Sequence, residues 1–449
     1  MAKDKCDQFK PYTSLINKEI LAEGQYKNTL FRFPLRTKAS KLSDTVYDSK
    51  HLMDVLESFQ AEAHLVLLFL KHITRIRIYH KINQSNRANM LFQVRVTDDC
   101  VKEAQKKRKQ FYEMCHSVHQ DTDAKVCYVI NIETEKYIGS DEPVIKRYSW
   151  LVTEYKAGEG KSVKLRTLSQ SDKLSSVALV GIAIDLMHIQ SPCPSSSAGT
   201  LMTQPLSGKV FCHLPLPGEE TGLPVHVNGY FAISQNRCHL KWPTAGYKPG
   251  SDEYLDWNQC LLSELMPKSY LDLIDSVIMF DIGKSDVERS EVVHHLLPNL
   301  ALTDEKWCSV VDEIYKNLKY KKFLYTEARE GRWLSIEEIV IFGAGEDDED
   351  TLQLINAVLL QCDVNITCVP IHVLEALKHY YDDVVVYVTP EVVQRAMMEH
   401  PDSYRNRNWE EKVILLNYLL RDGNCKRILG NIQCYICFTP AKFQNGLPS

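Results

Sequence analysis

The amino-acid sequence lacks most of the features that give a chain's chemistry away. Its opening, MAKDKCDQFK, has no apolar core of the kind that marks a secretory leader. Its longest apolar stretch, at Ala61–Leu70, is far shorter than the roughly 20 residues a membrane-spanning helix needs. His64 interrupts that stretch, and Lys71 and His72 follow it, so it reads as a buried helix. No GxxxxGK[ST], HExxH or GxSxG occurs, which leaves out the phosphate-cradling loop, the helical zinc pair and the serine nucleophile elbow. An excess of positive charge is also missing. The net charge of −5 argues against a surface dedicated to nucleic acid, whose affinity would rest on neutralising phosphates.

Paired cysteines are equally scarce, although cysteine is not. The 14 cysteines lie scattered along 449 residues without a secretory leader, which points to reduced thiols in the cytosol, many serving as small apolar side chains. The one short pair, Cys434 and Cys437 in IQCYICF, sits in a strand-like run that would aim residues three apart at opposite faces. Cys212, His213, His226, Cys238 and His239 share one region, yet their spacings fit no zinc template, and no metal is expected.

What is present is a change of periodicity along the chain. NTLFRFPLR at Asn28–Arg36 alternates as a strand does, with Phe31, Phe33 and Leu35 on one face and Arg32 and Arg36 on the other. From about Ser49 a helix is expected, with Leu52, Val55, Leu56, Phe59 and Ala63 on one stripe; the apolar face of the strand is expected to pack on Leu52–Leu70. Strand signals dominate Ile73–Ile233: TRIRIY, LFQVRV, VCYVIN, RYSWLVTEY, VALVGIAI, KVFCHLPL and LPVHVNGYFAIS. One polar helix, Cys100–Val118, interrupts them, and its Lys106, Lys107, Arg108 and Lys109 read as a solvated face. Asn228–Gly229 is a strong hairpin signal, and Gln190–Thr200 has the composition of a loop.

Beyond about Ser251 helices take over. Ser285–Glu288 and Ser335–Glu338 have capping-box spacing, Asn408 is an expected N-cap with Gly423 as a stop, and Thr389–Pro390 opens another helix. Short strands such as KFLYT and DVVVYV lie between. The fold class is therefore mixed α/β, a strand-rich N-terminal half followed by a helix-rich half with short strands, joined near Gly250. GAGEDDED at Gly343–Asp350 contains a GxG after a strand, but Glu346–Asp350 would repel a phosphate and fit better as the acidic approach to a helix N-terminus.

NTLFRFPLR, taken with the helix that follows it, resembles the repeat region of the sacsin family of large cytosolic co-chaperones. Further likenesses run in the same order: Gly208–Trp242 (GKVFCHLPLPGEETGLPVHVNGYFAISQNRCHLKW), Asp256–Ile274, Arg329–Phe342 and Val369–Leu377. In that family a repeat opens with an ATPase-like domain of the ninety-kilodalton heat-shock type. The resemblance makes residues 1–48 the remnant of that domain's closing strand, 49–250 an α/β repeat domain and 251–449 a helix-rich repeat domain, truncated at its end. Thr29 matches a threonine near the nucleotide, while Asn28 stands where the family has glycine. The family's metal-holding ExxxN, adenine-binding DxGxG and glycine-rich lid would precede this strand, and Met1–Lys27 holds none of them.

The resemblance therefore implies a cytoplasmic scaffold or co-chaperone fragment that binds client polypeptides or sister repeats. It implies no catalysis, no cofactor, no nucleic acid and no membrane. Seventy-kilodalton heat-shock chaperones and self-association are further implied partners. The alternative is part of an ATP-dependent chaperone whose nucleotide-binding half lies on an upstream segment, with Arg32 or Arg36 reaching the γ-phosphate. A third reading is a truncated product without independent function.

Overall fold

A computed structural model describes residues 28–81 apart from 37 and 42, 88–115, 122–138, 142–158, 162–187 apart from 175, 207–279, 282–343 and 349–420, together with 12 and 15. The chain forms two compact units. The first comprises residues 1–188, 208–220 and 225–269, and the second 189–207, 221–224 and 270–449.

The first unit is built on an eight-stranded sheet. Its strands are β1 (Arg75–His80), β2 (Asn89–Val96), β3 (Ala124–Lys136), β4 (Val144–Lys156), β5 (Leu179–Asp185), β6 (Lys209–Cys212), β7 (Leu214–Glu220) and β8 (His226–Gly229). Their order in the sheet is β1-β2-β3-β4-β5-β8-β6-β7. All neighbouring pairs are antiparallel except β6 with β8. Two helices lie on one face, α1 (Ser49–Val66) and α2 (Asp98–Cys115). Under them Phe92, Val94, Ile130, Ile132, Trp150 and Val152 meet Ala63, Leu65, Leu67, Leu68 and Phe69 in one core. Within the apolar stretch at Ala61–Leu70, residues from Ala63 onward are buried or half-buried while Ala61 and Glu62 are exposed, and its last four residues continue past the helix end at Val66. In the helical stripe only Val55 departs, at 55% exposed.

After the short helix α3 (Val163–Ser169), a long helical rod runs through α4 (Glu253–Cys260), a π-helical turn at Leu261–Leu265 and α5 (Met266–Met279). In that wide turn Met266 N–H reaches back to the Leu261 carbonyl, directly before Pro267. A proline lacks the helical N–H and its ring presses on the carbonyl four residues back, so widening the helix there keeps the rod continuous. Trp257 anchors α4 within the first unit, fully buried and donating its indole N–H to Tyr230 O at 2.7 Å.

The second unit contains α6 (Asp286–Leu296), α7 (Cys308–Leu318), the hairpin β9 (Leu324–Thr326) and β10 (Arg332–Leu334), and then a parallel βαβ succession. That succession is β11 (Val340–Ile341), α8 (Glu349–Gln361), β12 (Ile366–Thr367), α9 (Ile371–Tyr381), β13 (Val386–Tyr387) and α10 (Pro390–Glu399), with sheet order β12-β11-β13. α11 (Asp402–Arg405) and α12 (Trp409–Leu419) complete it, and α8, α10 and α12 share a core around Ile355, Val358, Val393 and Leu415. The capping boxes at Ser285 and Asn408 form, and Thr389 caps α10 with Pro390 at its first position.

Three expectations are overturned, and a fourth is met only in part. Residues 29–36 form no strand; Phe31 is 74%, Phe33 83% and Leu35 47% exposed, so their apolar face does not pack on Leu52–Leu70. Alternation marks a segment that suits a sheet, but among the described residues none takes its backbone bonds, and no strand forms there. Asn228–Gly229 is not a turn. Both residues are buried in β8 opposite Gly181 and Val180, and neither has the positive φ a type I′ turn demands. The chain reverses instead between β6 and β7 at His213, whose φ is 67°. The Ser335 box closes over only the three-residue 3₁₀ turn Ile336–Glu338, because Ile339 turns extended and leads into β11. Finally, Arg108 does not belong to a solvated face. The Cys434–Cys437 pair, residues 344–348 of the acidic run, the loop 190–200 and Gly423 lie outside the described residues.

Candidate functional site

The residues singled out by the sequence scatter. Thr29 and Arg32 are exposed in the irregular segment before α1, while Arg36 donates to Ser40 Oγ at 2.6 Å. The cysteines and histidines of the Gly208–Trp242 signature are each occupied separately. His226 is buried and its Nδ1 accepts from Lys209 N–H at 2.9 Å; burial first, then the nearby His64, lowers its pKa to about 3. His213 packs edge-on against Tyr230, Cys212 Sγ lies 3.8 Å from Phe231 O, and His239 Nδ1 lies 3.0 Å from Gly218 O. Among the described residues no group of three or more His, Cys, Asp or Glu is placed to hold a metal ion. Among those residues, too, no helix is long and apolar enough to cross a membrane.

The signature's polar residues hold backbone. Glu219, 4% exposed, accepts from Leu240 N–H at 2.9 Å and from Trp242 Nε1 at 3.1 Å. Asn228 Oδ1 accepts from His213 N–H at 3.0 Å, where the turn between β6 and β7 leaves that donor without a strand partner. Asn258 on α4 uses its whole amide: Oδ1 accepts from Ala232 N–H at 2.7 Å, and Nδ2 donates to Ala232 O at 2.7 Å and Lys241 O at 3.0 Å. Asn258→Asp keeps the acceptor and deletes both donations. It is expected to cost about 1–3 kcal/mol, read as a lower urea midpoint with an unchanged slope.

Two charged groupings were not legible as motifs. The first is buried. Arg108 on α2, with its side chain 10% exposed, donates Nε to Tyr128 Oη at 2.9 Å, Nη1 to Leu70 O at 2.8 Å and Nη2 to Leu68 O at 3.1 Å. Tyr128 in turn donates to Glu154 Oε1 at 2.7 Å, and burial followed by that carboxylate's charge drives its pKa well above the ordinary phenol value. The grouping satisfies carbonyls beyond the end of α1 and joins α2 to β3 and β4. Its signals were faint: Arg108 falls on the stripe of Cys100, Ala104, Phe111 and Cys115, and Glu154 has the parity of Trp150 and Val152.

The second grouping lies on the opposite face of the sheet at its β1 end. Register places Arg75, Arg95, Glu133 and Arg147 in one row across four strands, and Arg77, Gln93 and Glu135 in the next. Arg95 meets Glu133 at 2.8 Å and Glu135 at 3.3 Å, Arg147 meets Glu133 at 3.0 Å, and Tyr137 donates to Glu135 at 2.7 Å. Arg77 donates to the Gln93 amide at 2.6 Å, and Asp98 stands 3.6 Å from Arg75 and 3.7 Å from Arg95. Glu133 and Glu135 form the floor, at 12% exposed each, while Asp98 at 81%, Arg147 at 69% and Arg75 at 38% stand up from it. Solvent-facing ion pairs add little stability, so the exposed pairs of this surface contribute little to holding the sheet. At β4, β5 and β8 the same face is instead apolar and buried, with Leu151, Ile182, Ile184 and Val227 at 2% exposure or less.

The family model described as the Sacsin domain matches residues 1–93, which take in the segment before α1, α1 itself, β1 and the start of β2. Human sacsin is 30% identical to this chain, over 94% of the chain's length. The chain is a sacsin-like repeat region. It spans 9% of the length of that curated relative. No solved structure matches. Within the sacsin-like region the long Gly208–Trp242 signature is a framework of strands and backbone clamps, and the in-register row of charges lies along β1–β4.

Proposed function

We propose that this sacsin-like region is a non-catalytic scaffold module of a cytoplasmic co-chaperone, binding client polypeptides or sister repeats. The observation that carries the reading is the division of labour among polar residues. Glu219, Asn228, His226 and Asn258 of the specific motifs are consumed by backbone groups, whereas the arginines of β1, β2 and β4 face solvent in one in-register array. A protein–protein surface is the ordinary use of such an array, because arginine's planar, weakly hydrated guanidinium pairs with carboxylates and backbone carbonyls alike. Seventy-kilodalton heat-shock chaperones and a second copy of the region are partners of the same kind.

Suppression of aggregation of a chemically unfolded client tests the proposal. Added at one to five equivalents, the full chain is expected to reduce light scattering in proportion to its amount; unchanged scattering at that excess overturns it. A parallel thermal titration separates scaffold from ATPase. A ligand that binds only the folded form raises the melting temperature as its concentration passes Kd. No shift is expected up to millimolar ATP with Mg²⁺, and a shift at sub-millimolar ATP would sink the non-catalytic reading.

A further inference from the structure

We infer that the outer edge of β1 is a strand-addition site for an acidic, extended polypeptide segment. This rests on the polypeptide-binding reading above and names the ligand class and the place. Among the described residues β1 pairs on one side only, with β2. The direction of its unused backbone groups follows from the ladder. Val96 N–H donates to Thr74 O at 2.8 Å, so Thr74, Ile76 and Ile78 are the residues that exchange bonds with β2. The N–H and C=O groups of Arg75 and Arg77 therefore point away from the sheet, with the spacing an incoming strand would use.

The side chains say which strand fits. Within Arg75–His80 the outward-alternating residues are Arg75, Arg77 and Tyr79, His80 follows, and the strand holds no acidic residue. Ile76 and Ile78 belong to the core beneath α1 and α2, so the edge is held in place from behind. Counting the face around it, Arg75, Arg77, Arg95 and Arg147 stand against Asp98, Glu133 and Glu135, an excess of one positive charge, 4 − 3. Glu133 and Glu135 are already engaged by Arg95 and Arg147, and Arg77 has an amide as its partner. A carboxylate placed opposite Arg75 or Arg77 thus gains a cross-strand pair, while a lysine there is repelled. The register shift between Ile78 and Tyr79 limits the regular stretch to four residues, which suits a short segment and resists long self-pairing. The opposite edge of the sheet, β7, offers no equivalent, since Pro215 and Pro217 break its donors and Glu220 is acidic.

The test uses the full chain and three labelled octapeptides: one alternating valine and glutamate, one alternating valine and lysine, and the glutamate peptide with prolines at two central valines. Fluorescence anisotropy at low salt is expected to show the glutamate peptide binding at least tenfold more tightly than either of the others. The proline control separates strand addition from mere charge attraction, because it keeps the charge and removes backbone donors. The double variant R75E/R77E is expected to lose at least tenfold in affinity for the glutamate peptide and to gain for the lysine peptide. Amide exchange of residues 75–78 should slow on binding in the unmodified chain. Equal binding of the proline peptide, or indifference to R75E/R77E at an unchanged urea midpoint, overturns the proposal. Aggregation suppression by the same variant distinguishes the two levels of inference. Loss of both suppression and peptide binding supports the edge as the client site. Suppression retained in R75E/R77E overturns the edge but leaves polypeptide binding standing, whereas no suppression by the unmodified chain removes both.

Discussion

Replacing Arg108 by alanine is expected to lower the unfolding free energy of the first unit by about 3–5 kcal/mol. The guanidinium serves four groups at once: the Tyr128 hydroxyl, the carbonyls of Leu68 and Leu70, and the Glu154 carboxylate, 3.9 Å away and 6% exposed. Removing it strands that carboxylate in a site with few other donors and leaves two carbonyls beyond α1 without this partner. A buried ion pair intact is worth little against an apolar substitute, but one partner without the other is costly. The double variant R108M/E154Q should therefore lie closer to the unmodified protein than R108M alone. Equilibrium urea unfolding, followed by tryptophan fluorescence, reads all three. A cost below about 1 kcal/mol for R108A, within the range of ordinary surface changes, would show that the grouping is not a structural joint.

The second large effect concerns pH. His226 is 5% exposed, held between Lys209 N–H and the rings of Trp150 and Phe211, and its pKa falls to about 3, chiefly through burial. In the unfolded chain the same imidazole takes up its proton near pH 6.5. Between those values the unfolded state binds a proton the folded state refuses, so stability falls as pH is lowered through this window. At pH 4.5, two units below the ordinary value, the loss from His226 alone is about 2.7 kcal/mol. His294, buried in the second unit and lowered to about 4, acts in the same direction there. His226→Asn retains an acceptor for Lys209 N–H without a titrating ring. Its urea midpoint should be lower than that of the unmodified chain at pH 7, yet fall less between pH 7 and pH 4.5. Parallel pH profiles for the two proteins would mean that His226 does not carry the acid sensitivity.

The sequence by itself determined the fold class, much of the succession of elements and the likeness to sacsin. Period-two runs placed β1 to β5, because alternation is a local property that burial of one sheet face demands, whereas the run KVFCHLPL is split by the reversal at His213. Caps at Ser285, Asn408 and Thr389 were legible because a side chain and the N–H groups it satisfies lie within three residues of each other. The family followed from long runs of matching residues, which need no structure.

Only the tertiary structure decided where chemistry-bearing side chains point and what they spend their bonds on. Asn228–Gly229 has the composition of a turn, but its amide is needed by His213, and a Cβ on Gly229 would come within 2.8 Å of the Phe231 ring. Arg108 reads as one cation among four neighbours until Tyr128 and Glu154, 20 and 46 positions further on, are brought beneath it. The strand pattern at Phe31–Leu35 promised a sheet, and no neighbour among the described residues is there to complete it. The row Arg75–Arg95–Glu133–Arg147 exists only through register, which sets four residues spread along the chain side by side. Local pattern is a matter of adjacent bonds, whereas a binding surface is a matter of which distant residues the sheet lays next to one another.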